Sequence, residues 1–264
     1  MTVDLDAFDA LTFDCYGTLI DWEAGLVAAL REALPGADGV GDDALLEAYA
    51  GHEAEAERPP YRSYREVLAT GLRGVTADLG LEVADDAVAR FSESVRDWPA
   101  FPDSADALAR LHERYQLGVI TNCDTDLFAA SNEKLGVTFD WVVTAELARS
   151  YKPALAGFEL AVETIDVPRG RILHVAQSLF HDHVPAKQLG LTSVWIDRRH
   201  DRPGSGATPP AEAEPDASYP SMAAFADAAG VAPNPGRSCR RSTQQVVRPS
   251  AFPGTWSWKR LWAT

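Results

Sequence analysis

The chain has 264 residues, of which 46% are hydrophobic and 24% are charged, a balance typical of a soluble globular protein with a sizeable core. Its formal net charge of −15 argues against a surface that binds nucleic acid. No apolar run approaches the roughly 20 residues of a membrane span, and the acidic N-terminus is unlike a signal peptide. We therefore expect a cytoplasmic protein that binds neither nucleic acid nor a membrane.

Five short apolar runs indicate strands. They are rich in β-branched or aromatic residues and show little alternation, as do strands buried on both faces of a parallel sheet. These runs span residues 10–13, 117–120, 141–144, 172–176 and 192–196. Helical patterns between the runs cover residues 105–115, 126–135, 154–164 and 183–189. This alternation predicts an α/β fold with a doubly wound, Rossmann-like parallel sheet.

The stretch of residues 21–99 breaks this alternation, because only helical patterns are visible in it. They cover residues 22–34, 42–57, 63–79 and 85–95. A helical block inserted after the first strand predicts a cap domain over a site at the edge of the sheet, although it could also form a helical face of the main domain. We therefore divide the chain into an α/β core of residues 1–20 and 100–230 and a helical cap domain of residues 21–99.

Two segments are predicted to be poorly ordered. Residues 202–220 are rich in Pro, Gly, Ala and Glu, and residues 230–264 show no periodic apolar face after Val231. The charge changes abruptly at Arg237, since residues 237–264 contain six basic and no acidic residues. We therefore expect residues 231–264 to be a disordered or non-native tail.

Polar side chains follow the predicted strands where these end. Because ligands bind beyond the carboxyl ends of the strands in open α/β sheets, we expect these side chains to converge. They are Asp14, Thr121, Asn122 and Ser178 at the strand ends, with Lys152 and Asp182 shortly beyond them. A carboxylate, hydroxyls, an amide and an ammonium in one place form a plausible site for nucleophilic displacement.

The residue types suggest a role for each group. Asp14 can attack an electrophilic carbon or phosphorus and form a covalent intermediate, and a nearby Lys152 would lower its pKa by favouring the charged form. Thr121 and Asn122 can donate hydrogen bonds to an anion. Gly17 would allow the chain to turn sharply after the strand.

Four motifs, in order, resemble those of the haloacid dehalogenase superfamily. The run DCYGTL, which starts at Asp14, resembles the first motif, and VITN, which ends at Asn122, resembles the second. The run YKP around Lys152 and the segment of residues 175–190 are similar to the third and fourth. The resemblance covers about residues 8–200.

A tyrosine at position 16 resembles the L-2-haloacid dehalogenase branch of the superfamily. Phosphatases of the superfamily usually carry a second Asp at this position and another Asp at the position of Gln177. The resemblance implies that Asp14 displaces a halide from a small 2-haloalkanoic acid with no metal or other cofactor, and that water then hydrolyses the aspartyl ester. It implies catalytic roles for Asp14, Thr121, Lys152 and Asp182, and substrate-binding roles for Cys15, Tyr16, Asn122, Ser178 and Phe180. Asp182 would hold Lys152.

The first helix of the predicted cap departs from the dehalogenase pattern. The family's arginine for the substrate carboxylate lies on that helix, whereas residues 44–57 contain no arginine and include Tyr49, His52 and Glu53. The residue that would bind a substrate carboxylate is therefore left open.

Two other functions stay open at this point. One is a Mg²⁺-dependent phosphatase in which Asp14 and Asp182 hold the metal, and the other is a non-catalytic binding protein with the same fold. A small molecule is the expected partner in each case, and the family resemblance suggests a homodimer.

Overall fold

The structure is a computed structural model, and it describes residues 3–199, 208 and 211–231 of the chain. Six strands in these residues form one sheet: β1 (Ala10–Phe13), β2 (Gln116–Thr121), β3 (Trp141–Thr144), β4 (Ile172–Ala176), β5 (Thr192–Ile196) and β6 (Ala217–Tyr219). All neighbours are parallel, in the order β3-β2-β1-β4-β5-β6. The chain thus reverses its direction of winding between β1 and β4, which is where ligands bind in such sheets. The predicted doubly wound, Rossmann-like α/β fold is confirmed.

Helices lie in the connections between β1 and β5 and after β6, and every predicted helical pattern overlaps one. They are α1 (Trp22–Ala33), α2 (Asp42–Ala56), α3 (Tyr64–Leu79), α4 (Asp85–Glu93), α5 (Ser104–Leu111), α6 (Thr125–Leu135), α7 (Ala145–Ala148), α8 (Ala156–Thr164), α9 (Val184–Gln188) and α10 (Met222–Ala228). A single π-helical turn, Leu179–His183, precedes α9. The four helices α1 to α4 occupy the stretch between β1 and α5, as predicted, and their status as a separate cap domain stays a prediction.

Two elements near the end of the described chain were not predicted, namely β6 and α10. The expectation that residues 202–220 are poorly ordered is wrong for Ala217–Tyr219, which pairs with β5. A three-residue strand at the edge of a sheet is too short to show an apolar pattern. Apart from Val231, the predicted tail of residues 231–264 lies outside the described residues.

Asp124, just beyond β2, attaches the helical block to the sheet. Its carboxylate is 3% exposed and accepts hydrogen bonds from the backbone N–H groups of Tyr64, at 2.8 Å, and Arg65, at 3.2 Å. The Arg65 guanidinium lies 3.3 Å from the same carboxylate. These N–H groups belong to the first turn of α3, where no intrahelical acceptor is available. One side chain therefore holds the start of α3 at the carboxyl edge of the sheet.

Trp98 packs between the helical block and the loop after β1. It is 1% exposed, and its ring meets the Tyr16 ring edge to face at 5.6 Å between centroids. The close approach depends on Gly25 of α1, because a β-carbon there would lie 2.3 Å from Trp98 Cγ. Position 25 therefore requires glycine although it is inside a helix.

We expect Gly25→Ala to lower the free energy of unfolding by about 1–3 kcal/mol, because overlap with a buried ring outweighs the gain in helix propensity. Gly51→Ala in α2 is the matched control, since no described atom lies within 4 Å of its β-position. The control should raise stability by about 0.5–1 kcal/mol. Urea denaturation followed by circular dichroism measures both, and equal effects of the two substitutions would contradict the packing argument.

Candidate active site

A buried ion cluster lies at the carboxyl edge of the sheet. The Lys152 ammonium donates hydrogen bonds to Asp14 Oδ1 at 2.8 Å, to Asp182 Oδ1 at 2.7 Å and to the Ile120 carbonyl at 2.9 Å. The Lys152, Asp14 and Asp182 side chains are only 4%, 8% and 1% exposed. Three acceptors use all three N–H bonds of the ammonium. The predicted contact of Asp182 with Lys152 is present, and the cluster joins the ends of β1, β2 and β4.

Asn122 fixes the backbone of Lys152. Its Oδ1 accepts a hydrogen bond from the Lys152 N–H at 2.7 Å, and its Nδ2 donates to the Lys152 carbonyl at 3.1 Å. This pair of hydrogen bonds holds the lysine in place beside β2. One N–H of the amide is therefore committed to the protein, and the second is left for a ligand.

Thr18 was not predicted as a site residue, yet it completes the environment of Asp14. Its hydroxyl donates to Asp14 Oδ2 at 2.6 Å and accepts a hydrogen bond from the Gln177 N–H at 2.9 Å. Gly17 has φ of 91°, so the sharp turn expected after β1 is present and returns Thr18 towards the carboxylate. Only the position of Thr18 four residues after Asp14 could have indicated this contact.

The electrostatics of the two carboxyl groups differ. Burial raises the pKa of Asp14, and the opposing effects of Lys152 and the Thr18 hydrogen bond do not compensate for it. The low pKa expected for Asp14 is therefore wrong, because the sequence shows the neighbouring cation but not the loss of solvent. Burial would also raise the pKa of Asp182, but the Lys152 charge and the hydrogen bond to His174 outweigh it and lower the pKa.

The described residues around the cluster enclose a cavity of about 150 Å³. Among the predicted site residues, Asp14, Tyr16, Asn122, Lys152, Ser178 and Asp182 contribute to its wall. The wall also includes groups that were not predicted, from helix α2 and from the chain after β5. These are Ala50, Glu53, Ala54 and Glu57 on the first side and Arg198 and Arg199 on the second.

Three predicted site residues do not belong to the described wall of the cavity. Cys15 is fully buried in the hydrophobic core. Thr121 is 2% exposed, and its hydroxyl has no hydrogen-bond partner among the described residues. Phe180 packs edge to face on His181 at 5.0 Å. Each role assigned to these residues stays a prediction.

Tyr16 and the two histidines of the π-turn have structural contacts of their own. The Tyr16 hydroxyl lies 3.0 Å from Ser131 Oγ. Burial lowers the pKa of His181 to about 4, so its imidazole is neutral at pH 7. His183 lies outside the described wall and is held between Ser193 Oγ and the Ala176 carbonyl, each at 3.0 Å.

The donor set does not fit a Mg²⁺ ion. Among the described residues, no group of three or more Asp, Glu, His or Cys side chains could hold a metal. Asp14 and Asp182 instead bind the Lys152 ammonium between them, and Gln177, which also lines the cavity, offers an amide and no carboxylate. Mg²⁺ prefers hard oxygen ligands, usually carboxylates.

Comparison with known proteins gives the family. The sequence of residues 8–182 matches the family of haloacid dehalogenase-like hydrolases. The chain belongs to this family of hydrolases. The (S)-2-haloacid dehalogenase of Pseudomonas putida is 27% identical over 199 residues, which are 72% of this chain and 85% of the relative.

Two further relatives bear on fold and chemistry. The 5-amino-6-(5-phospho-D-ribitylamino)uracil phosphatase YigB of Escherichia coli is 30% identical over 209 residues, which cover 73% of this chain and 84% of the phosphatase. The L-2-haloacid dehalogenase structure from Xanthobacter autotrophicus matches with a TM-score of 0.71 and 23% identity. The match covers 83% of this chain and 97% of that one, and it supports the fold alone. Among the described residues, no helix has the length and apolarity to cross a bilayer.

We expect Lys152→Met to lower the free energy of unfolding by about 3–5 kcal/mol at pH 7, because it leaves two buried carboxylates without a cation. Their pKa values then rise in the folded state, so the variant should lose less stability at pH 5 than at pH 7. Urea denaturation at both pH values measures this difference.

Lys187→Met is the control, because Lys187 forms a surface ion pair with Asp216. Removing it should cost about 1 kcal/mol or less. A pH-independent loss in Lys152→Met, equal to that of the control, would contradict a charged cluster.

Proposed function

We propose that this hydrolase is of the (S)-2-haloacid dehalogenase type and acts on small 2-haloalkanoic acids. The Asp14 carboxylate attacks the halogen-bearing carbon, the carbon–halogen bond breaks, and the halide leaves. Water then attacks the carboxyl carbon of the resulting aspartyl ester. This step restores the Asp14 carboxylate and releases a 2-hydroxy acid and a proton. We also propose that the protein is cytoplasmic and that its active form is a homodimer.

The observation that carries the proposal is the position of Asp14 in the cavity wall, held by Lys152 and Thr18. Both hydrogen bonds orient a carboxylate that has little solvent around it, which is the state required of a nucleophile. Lys152 also offsets the negative charge of Asp182. The relatives named (S)-2-haloacid dehalogenase support a carbon-centred reaction.

The side chains beside Asp14 support chemistry without a metal. Asn122 retains one free amide N–H in the cavity wall, which can donate to a leaving halide. Tyr16 offers a ring where phosphatases of the superfamily usually carry a second Asp, and Gln177 offers an amide where they usually carry an Asp that holds Mg²⁺. We therefore propose that no cofactor takes part.

A phosphatase is the second candidate, favoured by the similarity to YigB. It would need a metal at Asp14 and Asp182, and the Lys152 ammonium already lies between these carboxylates. A non-catalytic binding protein would form no ester at Asp14. The first experiment therefore separates all three functions.

That experiment is a substrate panel with and without EDTA, containing 2-chloro and 2-bromo carboxylates, their amides, and an aryl phosphate. We expect halide release that EDTA does not abolish. In Asp14→Asn its rate should fall by about 10³-fold or more, because the nucleophile is removed. In H₂¹⁸O, mass spectrometry of the protein should show label in Asp14 after one turnover.

Asp9→Asn is the matched control, because Asp9 precedes β1 at its opposite end and pairs with Arg171 at the surface. Its turnover should equal that of the wild type. Phosphate release that EDTA abolishes would establish the phosphatase instead, and a folded protein without halide release, phosphate release or label would favour the binding protein.

The pH dependence of turnover should reflect the burial of Asp14. Protonated Asp14 cannot attack, so kcat/KM should fall as the pH is lowered. The midpoint of this acid limb should lie above the pKa of about 3.9 of an ordinary aspartate. Other groups of the cavity wall with shifted pKa values include His181, with a pKa of about 4, Glu53, with a pKa of about 7, and Glu57, whose pKa is raised by burial and by the charge of Glu53. The acid limb should persist in His181→Gln, in Glu53→Gln and in Glu57→Gln, and its loss in any one of these variants would assign it to that residue.

A further inference from the structure

The described wall of the cavity carries more acidic than basic side chains. Six acidic residues line it, namely Asp14, Asp21, Glu23, Glu53, Glu57 and Asp182, whereas the basic residues are Lys152, Arg198 and Arg199. Such a wall disfavours an anionic group unless a cation is free to receive it.

Each of these cations already has a carboxylate partner. Lys152 binds Asp14 and Asp182, as described above. Arg198 lies 2.9 Å from the Asp103 carboxylate, and Arg199 lies 2.6 Å from that of Glu23. A substrate carboxylate would therefore meet cations whose charge a carboxylate of the protein already offsets. Arg199 Nε, which has no hydrogen-bond partner among the described residues, is the donor still open to it.

Two carboxyl groups at the end of α2 can accept further hydrogen bonds. Glu57 directly follows the last residue of α2 and lies four residues after Glu53, hence on the same side of the helix end, and both are half-buried. The Tyr64 hydroxyl donates to Glu53 Oε1 at 2.9 Å, whereas the Glu57 carboxyl group has no hydrogen-bond partner among the described residues. Burial raises the pKa of both groups, and the charge of Glu53 raises that of Glu57 further.

A third acceptor is independent of this pair. Asp182 Oδ2 belongs to a side chain that is 1% exposed and contributes to the cavity wall. It has no hydrogen-bond partner among the described residues. A buried acceptor without a donor is unfavourable, so a ligand that brings N–H groups into the cavity gains where a ligand with only acceptors does not.

We infer that the site takes a 2-halogenated substrate that carries an N–H donor group, an amide or an ammonium, which Glu53 and Glu57 bind in the cavity that contains Asp14. The inference rests on the proposed function for its reaction, and it replaces the substrate carboxylate of that proposal with a donor group as the preferred partner of the site. It also accounts for the absence of arginine from residues 44–57. A carboxyl group on α2 recognises a donor, as an arginine there would recognise an acceptor.

The test compares two nearly isosteric probes, (S)-2-chloropropanamide and (S)-2-chloropropanoate, by halide release. We expect wild-type kcat/KM to favour the amide by about ten-fold or more, the effect of one buried hydrogen bond. Glu57→Gln, whose side chain has no described partner to lose, should reduce this ratio by about ten-fold, since glutamine replaces one carboxyl oxygen with an NH₂ group that can donate to the carboxylate. The double variant Glu53→Gln/Glu57→Gln should reduce it further.

Glu47→Gln is the control, because Glu47 is exposed on the same helix and is not part of the described wall. Its ratio should equal that of the wild type, and circular dichroism verifies that each variant is folded. A wild-type preference for the carboxylate, or a ratio that Glu57→Gln leaves unchanged, overturns the inference while leaving the dehalogenase proposal intact. Halide release from neither probe by folded wild-type protein overturns the proposed function, and the inference with it.

Discussion

The buried ammonium of Lys152 is the interaction on which the rest of the site depends. Two carboxylates and a carbonyl from three separate strand ends surround it, and none of these charges could be kept from water without the others. The parallel sheet supplies the geometry, because adjacent strands end at the same edge. The cluster in turn restrains the loops that leave those strands. Fold and site are therefore stabilised by the same contacts.

Much of this could be predicted from the sequence, for an identifiable reason. The strands β1 to β5 are mainly apolar because most of their residues are buried, and chemically useful residues follow several of them. Asp14, Lys152 and Asp182 were therefore expected at one place, and the structure places them in contact. The edge strand β6 was missed because it is short and only partly buried.

Other properties of the site depend on packing between distant segments. Whether Cys15 or Tyr16 contributes to the cavity is decided by the turn at Gly17, which no periodicity reveals. Glu57 acquires its importance only when α2 lies against the sheet edge. The direction of the pKa shift of Asp14 depends on burial, which is a property of the whole fold. A sequence motif therefore predicts which groups react, whereas the environment of these groups depends on packing.

The Asp124 carboxylate has a consequence for the size of molecule that the cavity admits. Helix α3 supplies Tyr64 to the cavity wall, and its first turn is held by hydrogen bonds to a buried carboxylate beyond β2. Apolar contacts can slide by a fraction of an ångström at little cost, whereas hydrogen bonds weaken steeply with misalignment. Polar contacts therefore set the distance between Tyr64 and the carboxyl edge of the sheet. A bulkier ligand meets a rigid boundary on this side of the cavity.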